Sequence, residues 1–328
     1  ELSTEAYLLQ EGRGSSSQSF HSHSHAIFRF PFHSLFSPTV LLPYYHQMTS
    51  IDEYDANATM PEDDPNGNTN ASPGPNRWGK SHAGAQELQK MYGEMKWKRR
   101  SEVFGISAAI LTFILQGTIL ITGIHNDVWW HIFVSLFFGA LVADFISGLV
   151  HWAADTWGSV EGVIGKGFIR SFREHHVDPV AITRHDFIEC NGDNFLVTVP
   201  FMVTALYLQF TGNEETIREW RPHLWFLFSL GIYVAMTNQI HKWSHTWTTL
   251  PKWVEFLQRT HIILPRWHHK KHHISPHACN YCITIGFMNY PLELIQFWTG
   301  LEFAITKITG NVPRSDDMKW AEKTIHSE

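Results

Sequence analysis

Cysteine is scarce in this chain, with three in 328 residues. Three thiols cannot supply the paired framework that staples small secreted domains, so a disulfide-built fold is excluded. Cys279 and Cys282 make one CxxC with His277 nearby. No second pair completes a four-thiolate zinc site, and both read as reduced thiols on a cytosol-facing segment. Long basic runs are also missing, which argues against nucleic acid as a partner. Most of the formal net charge of −6 falls within the first 85 residues, and the remainder is close to neutral. Charge is absent altogether from Val103 to Ile124.

The slightly negative mean hydropathy averages two unlike materials. Residues 1–85 are rich in Ser, His, Pro, Asn and Gly, with SSSQSFHSHSH and PEDDPNGNTNASPGPN as examples. Such stretches bury too little apolar surface to offset the entropy of ordering, so they read as a disordered leader. Its first part, 1–47, precedes Met48 and is expected to be dispensable or artefactual. Residues 86–320 form the expected membrane domain, and 321–328 a tail.

Four apolar runs follow the leader. VFGISAAILTFILQGTILITGI (103–124) is long enough to cross a hydrocarbon core of about 30 Å as a helix. The run 128–150 is broken only by His131 and Asp144, 195–210 is shorter, and 224–240 is the fourth. The expectation is an all-α, multi-pass membrane protein with four transmembrane helices in two hairpins. The stretch 281–308 is apolar but carries Pro291, Glu293, Glu302 and Lys307, and reads as interfacial or re-entrant. Lys96, Lys98, Arg99 and Arg100 stand before the first run, whereas His125-Asn126-Asp127 after it has neither Lys nor Arg. By the positive-inside rule the amino terminus is cytosolic. The same side then holds the loops rich in histidine.

The histidines are patterned. Asp144, His151 and Asp155 recur at helical spacing along one face at the end of the second run, and His241 and His245 at the end of the fourth. His151-x3-Asp155-Thr-Trp matches His241-x3-His245-Thr-Trp, and a His-His pair follows each: His175-His176 and His272-His273. The comparison gives Asp155 a ligand place equivalent to His245. WHHKKHH (267–273) adds His268 and His269 beside Lys270 and Lys271. Lysines there suit phospholipid headgroups, an acidic partner or simply solvent. Neutral imidazole with carboxylate suits iron, zinc, copper or nickel. One zinc takes three or four ligands; the supply here points to two metals in a histidine-rich, cytosol-facing site.

HxxxH and HxxHH boxes after transmembrane hairpins resemble the membrane fatty-acid desaturase and hydroxylase superfamily. More specifically, HWAADTWG, FREHHVDPVAITRHDFIECNGDN, NQIHKWSHTW and LPRWHHKKHHISPH resemble the Kua/CarF family of plasmanylethanolamine desaturases, over roughly residues 85–320. One departure from the desaturase pattern stands out: Phe172 occupies the place of the first histidine of HxxHH, and His185 or Asp186 is expected to supply the missing ligand. The resemblance implies a desaturase acting at an endoplasmic reticulum membrane. It would introduce the vinyl-ether double bond into the sn-1 alkyl chain of an ether phospholipid, with two iron ions, O2 as co-substrate and cytochrome b5 as electron donor. The expected metal ligands are His151, Asp155, His175, His176, His185, His241, His245, His268, His269, His272 and His273. Asp144, Asp186, Asn191 and Asn238 are expected to support them or meet substrate. Two other functions fit the histidine content, a di-iron lipid hydroxylase and a non-enzymatic metal transporter. Histidine spacing does not separate desaturation from hydroxylation. A transporter needs ligands along its intramembrane helices, where His131 and Asp144 are the strong candidates.

Overall fold

The computed structural model describes residues 86, 89–90, 93–160, 165–246, 249–273 and 277–314. The expected leader and tail lie outside them. Every regular element among the described residues is helical. Helix α1 spans Lys96–Thr122 and α2 Trp129–Thr156. After a π-helical turn at Gly165–Ile169 come the short helices α3 (Arg170–Val177) and α4 (Ala181–Arg184). Two long helices follow, α5 (Phe187–Thr211) and α6 (Glu214–Ser244). The chain closes with α7 (Lys252–Arg259), α8 (Arg266–His272), α9 (Asn289–Leu294) and α10 (Phe297–Thr309).

Helices α1, α2 and α5 are each long and apolar enough to cross a membrane. Helix α6 is longer, at 31 residues, but charged residues from Glu214 to Arg221 and the polar NQIHK dilute its ends. Residues 214–221, which precede the fourth apolar run, form the first turns of α6. Asn213 caps them, its Oδ1 accepting the Thr216 amide at 2.8 Å. Asp186 caps α5 likewise, accepting from Ile188 and Glu189.

The main partner of α1 is α5, and that of α2 is α6; α5 and α6 pack on each other. Small residues allow the close approach. A Cβ at Gly139 of α2 would lie 2.6 Å from the Phe226 carbonyl oxygen of α6. Ser229 Oγ donates to the Leu136 carbonyl beside it. Between membrane helices, packing and buried hydrogen bonds of this kind replace the hydrophobic drive, since lipid is as apolar as leucine.

The starts of α1 and α5 and the ends of α2 and α6 share one end of the bundle. Arg99 holds Asp186 with two hydrogen bonds, and Lys98 reaches Asp193. Asn191 ties α5 to Gln239 of α6. At the other end Arg221 pairs with Asp127, which also accepts from Trp225 Nε1. The histidines gather at the first end.

Candidate metal centre

Two adjoining sets of buried side chains converge there. His175, His241, His245, His269 and His273 form one set, and His151, Asp155, His176 and His272 the other; within each, the ligand atoms lie within 4.8 Å of one another. Adjacent histidines part company: His175 and His176 go to different sets, as do His272 and His273. Successive residues of a helix point about 100° apart, so a His-His pair divides between the two sets, while i,i+4 pairs such as His241/His245 and His269/His273 fall in one.

The ring nitrogens crowd closely. Nε2 of His241 lies 2.8 Å from Nε2 of His269, and His175 and His245 approach to 2.9 Å. In the second set His176 and His272 Nε2 are 3.0 Å apart, and Asp155 Oδ2 is 3.2 Å from His151 Nε2. His151 Nδ1 donates to the Tyr281 carbonyl (3.0 Å) and His272 Nδ1 to that of Cys279 (2.8 Å). Those bonds leave the neutral rings with Nε2 lone pairs facing inward, the tautomer a metal needs. Converging lone pairs repel one another unless a cation lies among them, so the donor set fits a metal ion. Burial first, then neighbouring imidazoles, pushes the pKa of His175, His176 and His273 well below the ordinary histidine value. Burial takes His272 down to about 4, against the Cys279 hydrogen bond. The rings are therefore neutral, as ligands must be.

An irregular strand of chain behind α2 positions these rings. Asp144 is wholly buried. Its Oδ1 accepts from the amides of Thr284, Ile285 and Gly286 and from the Thr284 hydroxyl, and Oδ2 from the Met288 amide. One turn on, Ser147 Oγ accepts the Ile283 amide, and a further turn on is His151 with the Tyr281 carbonyl. Positions 144, 147 and 151 thus form a polar stripe that satisfies the backbone of 281–288. Non-helical backbone at membrane depth survives only when buried against such partners. Asn289 closes the far side, exchanging two hydrogen bonds with the Cys282 backbone.

The lipid desaturase domain family matches residues 140–316. The chain belongs to the lipid desaturase family. It is 52% identical over 251 residues to a Mus musculus protein named plasmanylethanolamine desaturase 1, covering 75% of this chain and 91% of that one. A Myxococcus xanthus plasmanylethanolamine desaturase is 45% identical over 215 residues, 64% of this chain and 74% of its own. Fatty acid desaturase 4, chloroplastic, of Arabidopsis thaliana is 30% identical over 190 residues, 57% of this chain and 56% of its own. No solved structure matches.

Within this lipid desaturase domain, several residues expected at the metals lie elsewhere. His185 joins neither set; its Nδ1 pairs with Glu189 at 2.9 Å and its carbonyl accepts Lys242 Nζ. Asp186 caps α5 and pairs with Arg99, which together hold its carboxyl down to about 2. Neither lies in a donor set at the place that Phe172 occupies in the HxxHH pattern. His268 is buried but also outside both sets; its Nε2 accepts from Asn289 and its ring stacks on Trp267. Asn191 and Asn238 bind across the α5–α6 contact, to Gln239 and to the Cys190 carbonyl. His131 lies against Trp130, away from both sets. Cysteine contributes to neither set, and Cys279 Sγ contacts the Lys271 carbonyl.

Sequence reasoning missed the supports. Arg173 is buried and reaches the carbonyls of Ala154, Trp157 and Gly158, fastening α3 to the end of α2. Tyr281 supplies both a carbonyl to His151 and a ring beside His272. His277 and Asn280, non-glycine residues in left-handed backbone, flank the Cys279 carbonyl that holds His272. Only Ser147 carried a signal, its place three residues after Asp144.

Proposed function

We propose that this lipid desaturase is a plasmanylethanolamine desaturase of the Kua/CarF type, forming the vinyl ether of plasmalogens. The observation that carries the reading is the pair of adjoining, buried, nitrogen-rich donor sets at one end of a membrane-type bundle. The names of the mouse and Myxococcus relatives support it. The sets would hold two iron ions: one through His175, His241, His245, His269 and His273, the other through His151, Asp155, His176 and His272.

Bound iron supplies the one-electron and O2 chemistry that removes hydrogen from an unactivated C–H bond, which no protein base achieves at neutral pH. The residues supply the rest. Tyr281 and Cys279 carbonyls orient the His151 and His272 rings. Asp155 places a carboxylate among three imidazoles and would offset part of the charge of an iron ion held there. Burial keeps water from the donors and the rings neutral. The substrate, an alkyl ether phospholipid, loses two hydrogens from the first two carbons of its sn-1 chain. Electrons come from cytochrome b5.

Placement follows the same reading. Helix α6 joins the three apolar helices as a fourth span, giving two chain-sequential pairs in an endoplasmic reticulum membrane. The positive-inside bias of Lys96–Arg100 puts the amino terminus and the donor sets on the cytosolic side. A site just beneath that interface is level with carbons adjoining the headgroup.

The test is complementation of cells that lack vinyl-ether lipids. Restoration of acid-labile vinyl ether, with alkyl ether consumed, is the expected product pattern. An alcohol product would mean hydroxylation; metal uptake without lipid turnover would mean transport.

A further inference from the structure

Four aromatic side chains run outward from the second donor set. The Tyr281 ring lies 5.3 Å from that of His272 and 5.8 Å from that of His151. Trp298 meets Tyr281 at 5.3 Å and stacks on Trp152 at 5.7 Å. Trp152 meets Trp157 at 6.1 Å. Tyr281, Trp298 and Trp152 are buried, whereas Trp157, just past the end of α2, is partly exposed. The series therefore runs continuously from the metal-facing rings to the surface.

Its hydrogen bonds are uneven. Trp152 Nε1 donates to Glu302 Oε1 at 3.0 Å, and Arg314 holds that carboxylate through both terminal nitrogens. Trp298 Nε1 has no hydrogen-bond partner among the described residues. The Tyr281 hydroxyl is met by Arg314 Nη1, a group that only donates, and by the Thr156 hydroxyl, which is no base. An indole that loses an electron becomes strongly acidic at nitrogen, and a buried cation radical is costly. Of the three buried rings, Trp152 is the one whose proton has a carboxylate to go to.

We propose that Tyr281, Trp298, Trp152 and Trp157 form a relay that drains an unused oxidising equivalent from the metal centre to the protein surface, with Glu302 taking the indole proton of Trp152. The inference rests on the reading that the donor sets hold iron that reacts with O2. When no alkyl chain is present to supply hydrogen, one electron leaves Trp152 for the oxidised iron by way of Trp298 and Tyr281. The iron is reduced by one electron. Trp152 is oxidised by one, its N–H proton moving along the existing hydrogen bond to Glu302, which leaves a neutral indole radical. An electron from Trp157 refills Trp152 and the proton returns. A soluble one-electron reductant, a thiol or ascorbate, then reduces Trp157. The ligand rings are spared oxidation.

The experiment uses the full chain, loaded with ferrous iron, mixed with O2 without lipid and freeze-quenched for paramagnetic resonance. A tryptophan radical is expected in the unaltered protein, and its loss in Trp152→Phe at equal iron content. Glu302→Gln, which still accepts the hydrogen bond but cannot take the proton, is expected to convert any remaining signal to that of a cation radical. A second readout needs no variant: after aerobic incubation without lipid, peptide mass spectrometry should find oxidation at Trp152 and Trp157. No radical in the unaltered protein, an unchanged signal in Trp152→Phe, or oxidation confined to the histidines would overturn the relay. The vinyl-ether assay separates the two claims. If iron and radical are present but vinyl ether never forms, the substrate assignment fails and the relay stands.

Discussion

Asp144 Oδ1 accepts the backbone amide of Gly286 at 2.9 Å, across 142 positions of sequence. That bond is one of five by which a single carboxylate holds an irregular segment against a membrane helix. The Tyr281 carbonyl of this segment orients His151, so the anchor and the candidate metal site are coupled.

Asp144→Asn therefore tests the anchor. Oxygen retained at the Oδ1 position still meets four donors, but the new NH2 then faces the Met288 amide, donor against donor. A buried donor left unsatisfied costs about 1–3 kcal/mol. Lower thermal stability in detergent and a lower iron content are expected. Unchanged values for both would show that the segment is held by packing alone.

Gly148 allows the same segment to approach α2. A Cβ there would lie 2.5 Å from Cys282 Sγ and 3.2 Å from Trp298 Cζ2. Gly148→Ala should destabilise by about 1–3 kcal/mol through overpacking. Adding Cys282→Ala removes the nearest clashing atom and should recover part of the loss. Denaturation of both single variants and the double variant measures the coupling; strict additivity would refute the contact as the cause.

Iron counting separates the two donor sets. Asp155→Ala and His273→Ala touch different sets, so each should lose about one of two irons and all vinyl-ether formation, because removing a direct ligand leaves a gap its neighbours do not fill. Lys270→Gln with Lys271→Gln should keep both irons, since a protonated ammonium has no lone pair to offer a metal. Loss of iron in the lysine variant, or full iron and turnover in Asp155→Ala, would contradict the assignment.

Acid should destabilise the metal-stripped protein. His272 sits at about 4 in the fold, against an ordinary value of about 6.5. Between those values the unfolded chain binds the proton and the folded chain does not, so stability rises with pH through that window. It is complete above about 6.5 and declines as pH falls toward 4. Thermal unfolding after chelation should thus drop steadily from neutral pH to mildly acidic pH. A flat profile would mean that the histidines are solvated without metal.

How far the site was legible varies by residue. The i,i+4 pairs His151/Asp155 and His241/His245 were visible because helical spacing makes neighbours of such residues whatever the tertiary context. His185, which the vacancy in the HxxHH pattern suggests as a ligand, lies outside both sets and pairs with a local partner four residues on, Glu189. His268 has the spacing of a ligand pair with His272 and ranks below His269, His272 and His273 as a candidate; its ring turns toward Trp267 and Asn289, contacts that no spacing rule contains.

By itself the sequence determined the apolar helices, the crowding of imidazoles at their ends and the lipid desaturase motifs. These depend on composition and on the period of a helix, both written locally. Tertiary structure alone decided which ring joins which donor set and that Asp144 anchors 284–288. It also joined Trp152 to Glu302 and Trp298. Those outcomes arise from contacts between separate elements, 28 positions apart for His241 and His269 and 140 for Asp144 and Thr284, where register, ring rotamer and the need to satisfy buried amides are settled together.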